Sequence, residues 1–287
     1  MLILSNEELL SLCAVALIGL PHGALDAAVL FQYHWRSSRS LLTVFSTYII
    51  IVLVTLGVWW SSPLVGLISF FILSAMHFGF GDIEGLNRSH YKRMWSDLLD
   101  AFFLGALTLS VLILSDTERV MQIFDVLMGT QSYIETSILE DTLWIVITFF
   151  SLWLFITRGR SKVIQYWKKR VTDLLTLGAM SYFTNPITAF AFYFCGFHSV
   201  RHLYTVFKNM REDTHATFLI KMIVSFSIIT WIIGAIYLFS TPQQQSLDEA
   251  YLRLIFIGLS ALTTPHILLM DYWYWGSLNN VAQELSA

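Results

Sequence analysis

Residues 16–30 read ALIGLPHGALDAAVL, an apolar run with a proline, a histidine and an aspartate at its centre. In a water-soluble core helix Pro21, His22 and Asp26 would be odd. In a membrane-spanning helix they would be expensive, because ionisable groups in a bilayer are disfavoured and mark sites of function. The composition of the whole chain decides between the two. Of 287 residues, 56% are hydrophobic and only 13% charged, against about 25% charged in soluble domains. Apolar runs of roughly 18 or more residues recur throughout, as in a polytopic membrane protein.

Nine candidate spans follow, at approximately 8–30, 41–60, 63–82, 97–115, 141–157, 171–185, 187–207, 219–240 and 251–273. The sixth is short and ends at Pro186, which marks it as a partial or kinked crossing. No linker, low-complexity tract or repeat divides the series, so the reading is an all-α, polytopic membrane bundle forming one domain over residues 1–287. The opening MLILSNEELL lacks the basic start of a signal peptide, and the first run is expected to stay in the mature protein. Cys13 and Cys195 both lie in apolar runs and suggest neither a disulfide framework nor a thiolate metal site. A net charge of −3 argues against nucleic acid as a partner.

Basic residues collect in the connections after odd-numbered spans, from Arg36 and Arg39 to Lys208 and Arg211. The other side carries only Arg119 and Arg253 among acids such as Asp116, Glu118, Asp248 and Glu249. The positive-inside rule then places the N-terminus outside and the C-terminus in the cytoplasm. Of the eight histidines, His34, His90 and His215 fall in cytoplasmic connections and read as solvated. His22, His77, His198, His202 and His266 fall inside spans one, three, seven and nine, which all run in the same direction. Each lies about 11 to 15 residues into its span, roughly 16–22 Å deep, so five imidazoles converge on one level.

A single intramembrane histidine is often a hydrogen bonder between helices, but five at one depth point to a site. His198 and His202 stand i,i+4 on one helical face and can grip one ion, while Arg201 between them faces elsewhere and is expected to extend to the cytoplasmic interface. Imidazole suits iron, zinc or copper. Asp26, one turn from His22, is placed to accept its second N–H; Asp82 and Asp271 follow His77 and His266 by five and suit a supporting or capping role. Pro21 and Pro265 directly precede His22 and His266, where a kink would aim the ring inward, and Gly19, Gly23, Gly79 and Gly81 would admit close helix approach. Tyr193 and Phe194, near the face of His198, are candidates to line a substrate tunnel, whereas DYWYW at 271–275 reads as an interfacial aromatic belt.

Taken together, PHGALD, AMHFGFGD, FHSVRH and TPHILLMD, in this order along nearly the whole chain, resemble the Brp/Blh family of membrane-embedded carotenoid dioxygenases. The resemblance implies a non-haem Fe(II) enzyme that splits β-carotene at its central 15,15′ double bond with O2 into two all-trans retinal. It implies iron ligands at His22, His77, His198 and His202, with His266 in a further role toward metal, substrate or water. It also implies a multi-pass protein of a prokaryotic cell membrane, in contact with lipid, that passes retinal to a retinal-binding membrane protein. The rival classes are a di-iron hydroxylase or desaturase, which would show about eight histidines and an HH pair, and a histidine-based transporter or haem carrier. This chain has no HH pair and no recognisable flavin or nicotinamide motif.

Overall fold

A computed structural model describes residues 2–19, 21, 23–26, 38–84, 95–129, 136–157, 161–209, 216–242 and 246–268. Among these the architecture is entirely helical. The order is α1 (Asn6–Ala14) running into a π-helical stretch Val15–Gly19, then α2 (Ser38–Ser61), α3 (Pro63–Glu84), α4 (Trp95–Leu114) and α5 (Thr117–Met128). There follow α6 (Thr136–Thr157), α7 (Ser161–Phe183), α8 (Pro186–Ala191), a second π-helical stretch Phe192–Ser199, α9 (Val200–Asn209), α10 (Ala216–Phe239) and α11 (Leu247–His266). Each of the nine expected segments is helical where it is described.

By length and composition, five stretches among the described residues can cross a membrane: Asn6–Asp26, Leu41–Ser61, Pro63–Gly81, Thr136–Trp153 and Ile220–Phe239. A sixth is the pair α4 and α5, bent by 103° at their junction. The apolar windows of α2, α6 and α10 are only 6% buried, while that of α3 is 50% buried. Strongly apolar helices with bare flanks need an apolar solvent, so these three form the lipid-facing rim and α3 the centre.

Two helices differ from the sequence expectation. The sixth segment is not short: α7 begins at Ser161 and includes Lys162, Lys168, Lys169 and Arg170. Those long unbranched side chains are good helix formers that a hydropathy window discards. The segment ends where Asn185 caps α8, its side chain accepting from Thr188 N, with Pro186 in the first turn. The second difference is α5, twelve residues that read as a loop because they are too short and too charged to span. Asp116 caps it through Arg119 N, Gly129 ends it in the left-handed conformation, and Val120, Ile123, Phe124 and Leu127 are buried on one face.

Charged groups tie one end of the bundle together. Glu8 is buried beneath Arg119 of α5, whose guanidinium reaches both carboxylate oxygens at 2.8 and 2.6 Å and also the carbonyl of Ile3. The amides of Leu2 and Leu4 donate to Glu249 and Asp248 of α11, and Arg253 reaches the carbonyl of Val126 in α5. The N-terminal residues, α5 and the start of α11 therefore share one end.

In the centre, α3 and α4 touch backbone to backbone. A Cβ on Gly79 would overlap the carbonyl of Ala101, and one on Gly105 would overlap that of Ala75. Small residues replace side-chain interdigitation with direct helix contact, as is common in membrane bundles. Gly105→Ala should therefore force the helices apart and cost about 1–3 kcal/mol. Gly57→Ala, where no atom lies within 4 Å of the added carbon, should be neutral. Thermal unfolding in detergent checks the pair of variants; equal melting temperatures would refute the close contact.

Candidate functional site

Four of the five convergent histidines meet in the middle of the bundle. Ring centroids lie 4.6 Å apart for His77 and His198, 4.7 Å for His77 and His266, 5.0 Å for His202 and His266, and 6.4 Å for His77 and His202. His77, His198 and His266 are buried, at no more than 5% exposure, and His202 is partly buried. The rings come from α3, the second π-helical stretch, α9 and the end of α11. His22 lies outside the described residues, as do Asp271, His34, His90 and His215. Asp82 ends α3, and its side chain is not described.

The π-helical stretch explains how two of the rings are aimed. In an α-helix each step of four residues over-rotates, because a turn holds only 3.6. A π-helix has a wider turn and under-rotates. The mixture of α8, the π-helical stretch and α9 keeps Phe190, Phe194, His198 and His202 in one column. Successive rings are nearly parallel, at 9°, 10° and 10°, with centroids 5.4, 5.7 and 6.5 Å apart. Gly19 makes room for this column, since a Cβ there would collide with the Phe194 ring. A Cβ on Gly81 would stand 3.6 Å from the His198 ring, in ordinary van der Waals contact, whereas Gly23, expected at a close approach, has no atom within 4 Å of a Cβ.

Asp26 is expected to support His22, which lies outside the described residues; the partners described for it come from other helices. It is 1% exposed, and its Oδ1 lies 2.7 Å from Nδ1 of His266, 240 residues away. Its other oxygen accepts from the hydroxyl of Tyr48 at 3.2 Å. Neither partner could be inferred from spacing along one helix. Arg201, expected to extend to the cytoplasmic interface, grips Asp173 of α7 with two hydrogen bonds of 2.8 and 2.7 Å. Such a bidentate pair satisfies both groups within the bundle.

Nε2 of His77 and Nε2 of His198 stand 2.9 Å apart. Two imidazole nitrogens each about 2.1 Å from one ion and at right angles would be about 3.0 Å apart. Among the described residues, no three His, Cys, Asp or Glu side chains already surround a single ion position. The His77–His198 pair fits a metal, and His202 and His266 stand within one ring of it.

Beside the cluster lies an apolar cavity of about 70 Å³. Phe78 and Phe190 line it, together with Val120, Ile123 and Phe124 of α5. Phe78 packs edge-on against His198, with centroids 4.8 Å apart. Pro186, Ile187 and Phe190 of α8 line the cavity, whereas Phe194 and Tyr193 do not; Tyr193 borders a smaller pocket with Asp173 and Thr108. The signal for Phe190 was its place four residues before Phe194.

The fold is a helical bundle with helices apolar enough to cross a membrane, an imidazole cluster at its centre and an apolar cavity nearby. Comparison with known proteins gives the family. A profile described as Beta-carotene 15,15'-dioxygenase matches residues 13–274. Beta-carotene 15,15'-dioxygenase of Uncultured marine bacterium 66A03 is 30% identical over 269 residues, covering 92% of this chain and 94% of the relative. Probable beta-carotene 15,15'-dioxygenase Blh of Halobacterium salinarum is 21% identical over 291 residues, covering 90% and 82%. No solved structure matches. The chain belongs to the β-carotene 15,15′-dioxygenase family.

The packing of the column yields one expectation for stability. Phe194 is buried among Phe190, Phe78, His198 and Gly19. Phe194→Ala should cost about 3–5 kcal/mol by opening a cavity there. A melting temperature unchanged from the parent would contradict the column.

Proposed function

We propose that this protein is a membrane-embedded, iron-dependent dioxygenase that cleaves β-carotene with O2 at its central 15,15′ double bond, giving two all-trans retinal. The observation that carries the reading is the meeting of four imidazoles, three of them buried, beside a cavity lined by phenylalanine and aliphatic side chains. The names of both relatives support the choice of substrate.

His77, His198 and His202, with His22, are the residues that would hold Fe(II), and the iron would supply the binding and activation of O2 next to the alkene. The protein's own contribution is position and dryness. Phe78 and Phe190 offer flat apolar surfaces for one half of a polyene, and the bond to be cut lies toward His198. The surrounding aliphatic side chains keep water from the reacting carbons. Cleavage by O2 places one oxygen atom in each aldehyde and balances without an external reductant.

A C40 hydrocarbon partitions into lipid, so an entrance from the bilayer spares it a passage through water. The same argument has retinal leave into the membrane, to be received by a retinal-binding membrane protein. We assign the chain nine crossings of a prokaryotic cell membrane, N-terminus outside and C-terminus cytoplasmic, on the distribution of basic residues.

Purified protein loaded anaerobically with iron should carry about one iron per chain and convert β-carotene to retinal, with label from ¹⁸O₂ in both products when the aldehydes are trapped quickly. His198→Ala should lose iron and activity together while still inserting. Full iron occupancy in that variant would remove it from the ligand set. A stoichiometric need for NADH, or longer apocarotenals as the main product, would overturn central cleavage and favour a hydroxylase.

The cavity makes a separate prediction. Ile123→Trp on α5 should fill it and lower turnover of β-carotene at least tenfold with iron content unchanged. Normal turnover would show that the polyene lies elsewhere.

A further inference from the structure

The relation between Tyr48, Asp26 and His266 joins three parts of the chain that are remote in sequence. Asp26 follows the first π-helical stretch, Tyr48 stands in α2, and His266 ends α11. Asp26 and His266 are both almost wholly buried, with side chains 2% exposed. Tyr48 also approaches the carbonyl of Leu262, one turn before His266, at 3.4 Å. Farther along α2, Trp59 donates to Ser260 at 2.9 Å, which fixes α2 against the same helix.

A buried carboxylate is costly unless paired and hydrogen-bonded, and here both oxygens are engaged. When Nδ1–H of an imidazole donates to a carboxylate, the tautomer is set and the lone pair resides on Nε2. The His266 ring lies 4.7 Å from that of His77 and 5.0 Å from that of His202, so it belongs to the same cluster. A dication held only by neutral imidazoles in an apolar interior keeps its full charge. A carboxylate one residue removed offsets part of it.

We propose that Tyr48 and Asp26 form a positioning relay that presents His266 Nε2 as a further ligand to the metal held by the histidine cluster. The proposal rests on the reading of that cluster as a metal site, and it gives Asp26 a role toward His266 that the spacing from His22 did not suggest. Tyr48 and Asp26 are positioning residues, because they act through His266 and touch no substrate.

The test is anaerobic titration of the metal-free full-length protein with Co(II), read by its visible absorption and dissociation constant, beside melting curves with and without the ion. The parent should bind one Co(II), and His198→Ala should not. His266→Ala should weaken binding at least tenfold and shift the cobalt band, because the ligand set changes. Asp26→Asn should keep the band while weakening binding roughly 10–100-fold. Tyr48→Phe, which removes one hydroxyl and no carbon, should keep both the band and the metal-free melting temperature. It should weaken binding severalfold and shrink the rise in melting temperature that Co(II) brings.

Parent affinity and spectrum in Asp26→Asn and Tyr48→Phe would overturn the relay while leaving the metal site standing. An unshifted cobalt band in His266→Ala would overturn His266 as a ligand. Should that variant fail to fold, Tyr48→Phe decides: parent-like binding refutes the relay and weakened binding supports it. A parent protein that binds no Co(II) would overturn the metal reading and the relay together.

Discussion

Imidazole rings set in the middle of an apolar bundle have no water to turn to, and their neighbours must satisfy them. The organisation of the centre follows from that constraint. His77 faces His198 nitrogen to nitrogen at 2.9 Å, and His266 faces Asp26 at 2.7 Å. Hydrocarbon offers no alternative partner, so these contacts fix α3, α11 and the second π-helical stretch relative to one another. The same logic places Asp173 and Arg201 opposite each other between α7 and α9. Apolar packing closes the bundle, while the polar pairs select which closure is adopted.

Much of this was visible in the sequence, for a physical reason. Depth along a helix is a one-dimensional quantity, and counting residues suffices to put His77, His198, His202 and His266 at one level. Their rings do meet. Which group faces which across helices depends on the rotation and packing of several elements, and a single chain read along its length does not contain that. Asp26 invited a partner four residues away at His22, which lies outside the described residues, and nothing in the spacing pointed to His266, 240 residues away, whose ring nitrogen it meets. Tyr48 gave no signal at all, being one aromatic residue in a strongly apolar helix. Nothing in the spacing around Arg201 pointed to Asp173, 28 residues back in another helix.

The helix α5 was missed for a related reason. A search tuned to the thickness of a bilayer passes over twelve residues that carry Glu118, Arg119 and Asp125, although the cap at Asp116 and the spacing of Val120, Ile123, Phe124 and Leu127 spell a short amphipathic helix. Its place matters to the site. With Val120, Ile123 and Phe124 on its buried face and Arg119 locked onto Glu8, it forms one wall of the cavity. That cavity is bounded in part by a helix that never needs to cross the membrane.

The π-helical stretch between Phe192 and Ser199 holds the phase of the whole column. A π-helical turn is equivalent to an α-helix carrying one surplus residue. Deleting a single residue there would let the segment relax to regular α-helix, with every backbone bond still made. It would also turn each later ring by about 100° relative to Phe190. A protein so shortened would remain helical and apolar, with His198 and His202 facing away from His77. Chain length over these eight residues is therefore a stricter requirement than the identity of most of the side chains they carry.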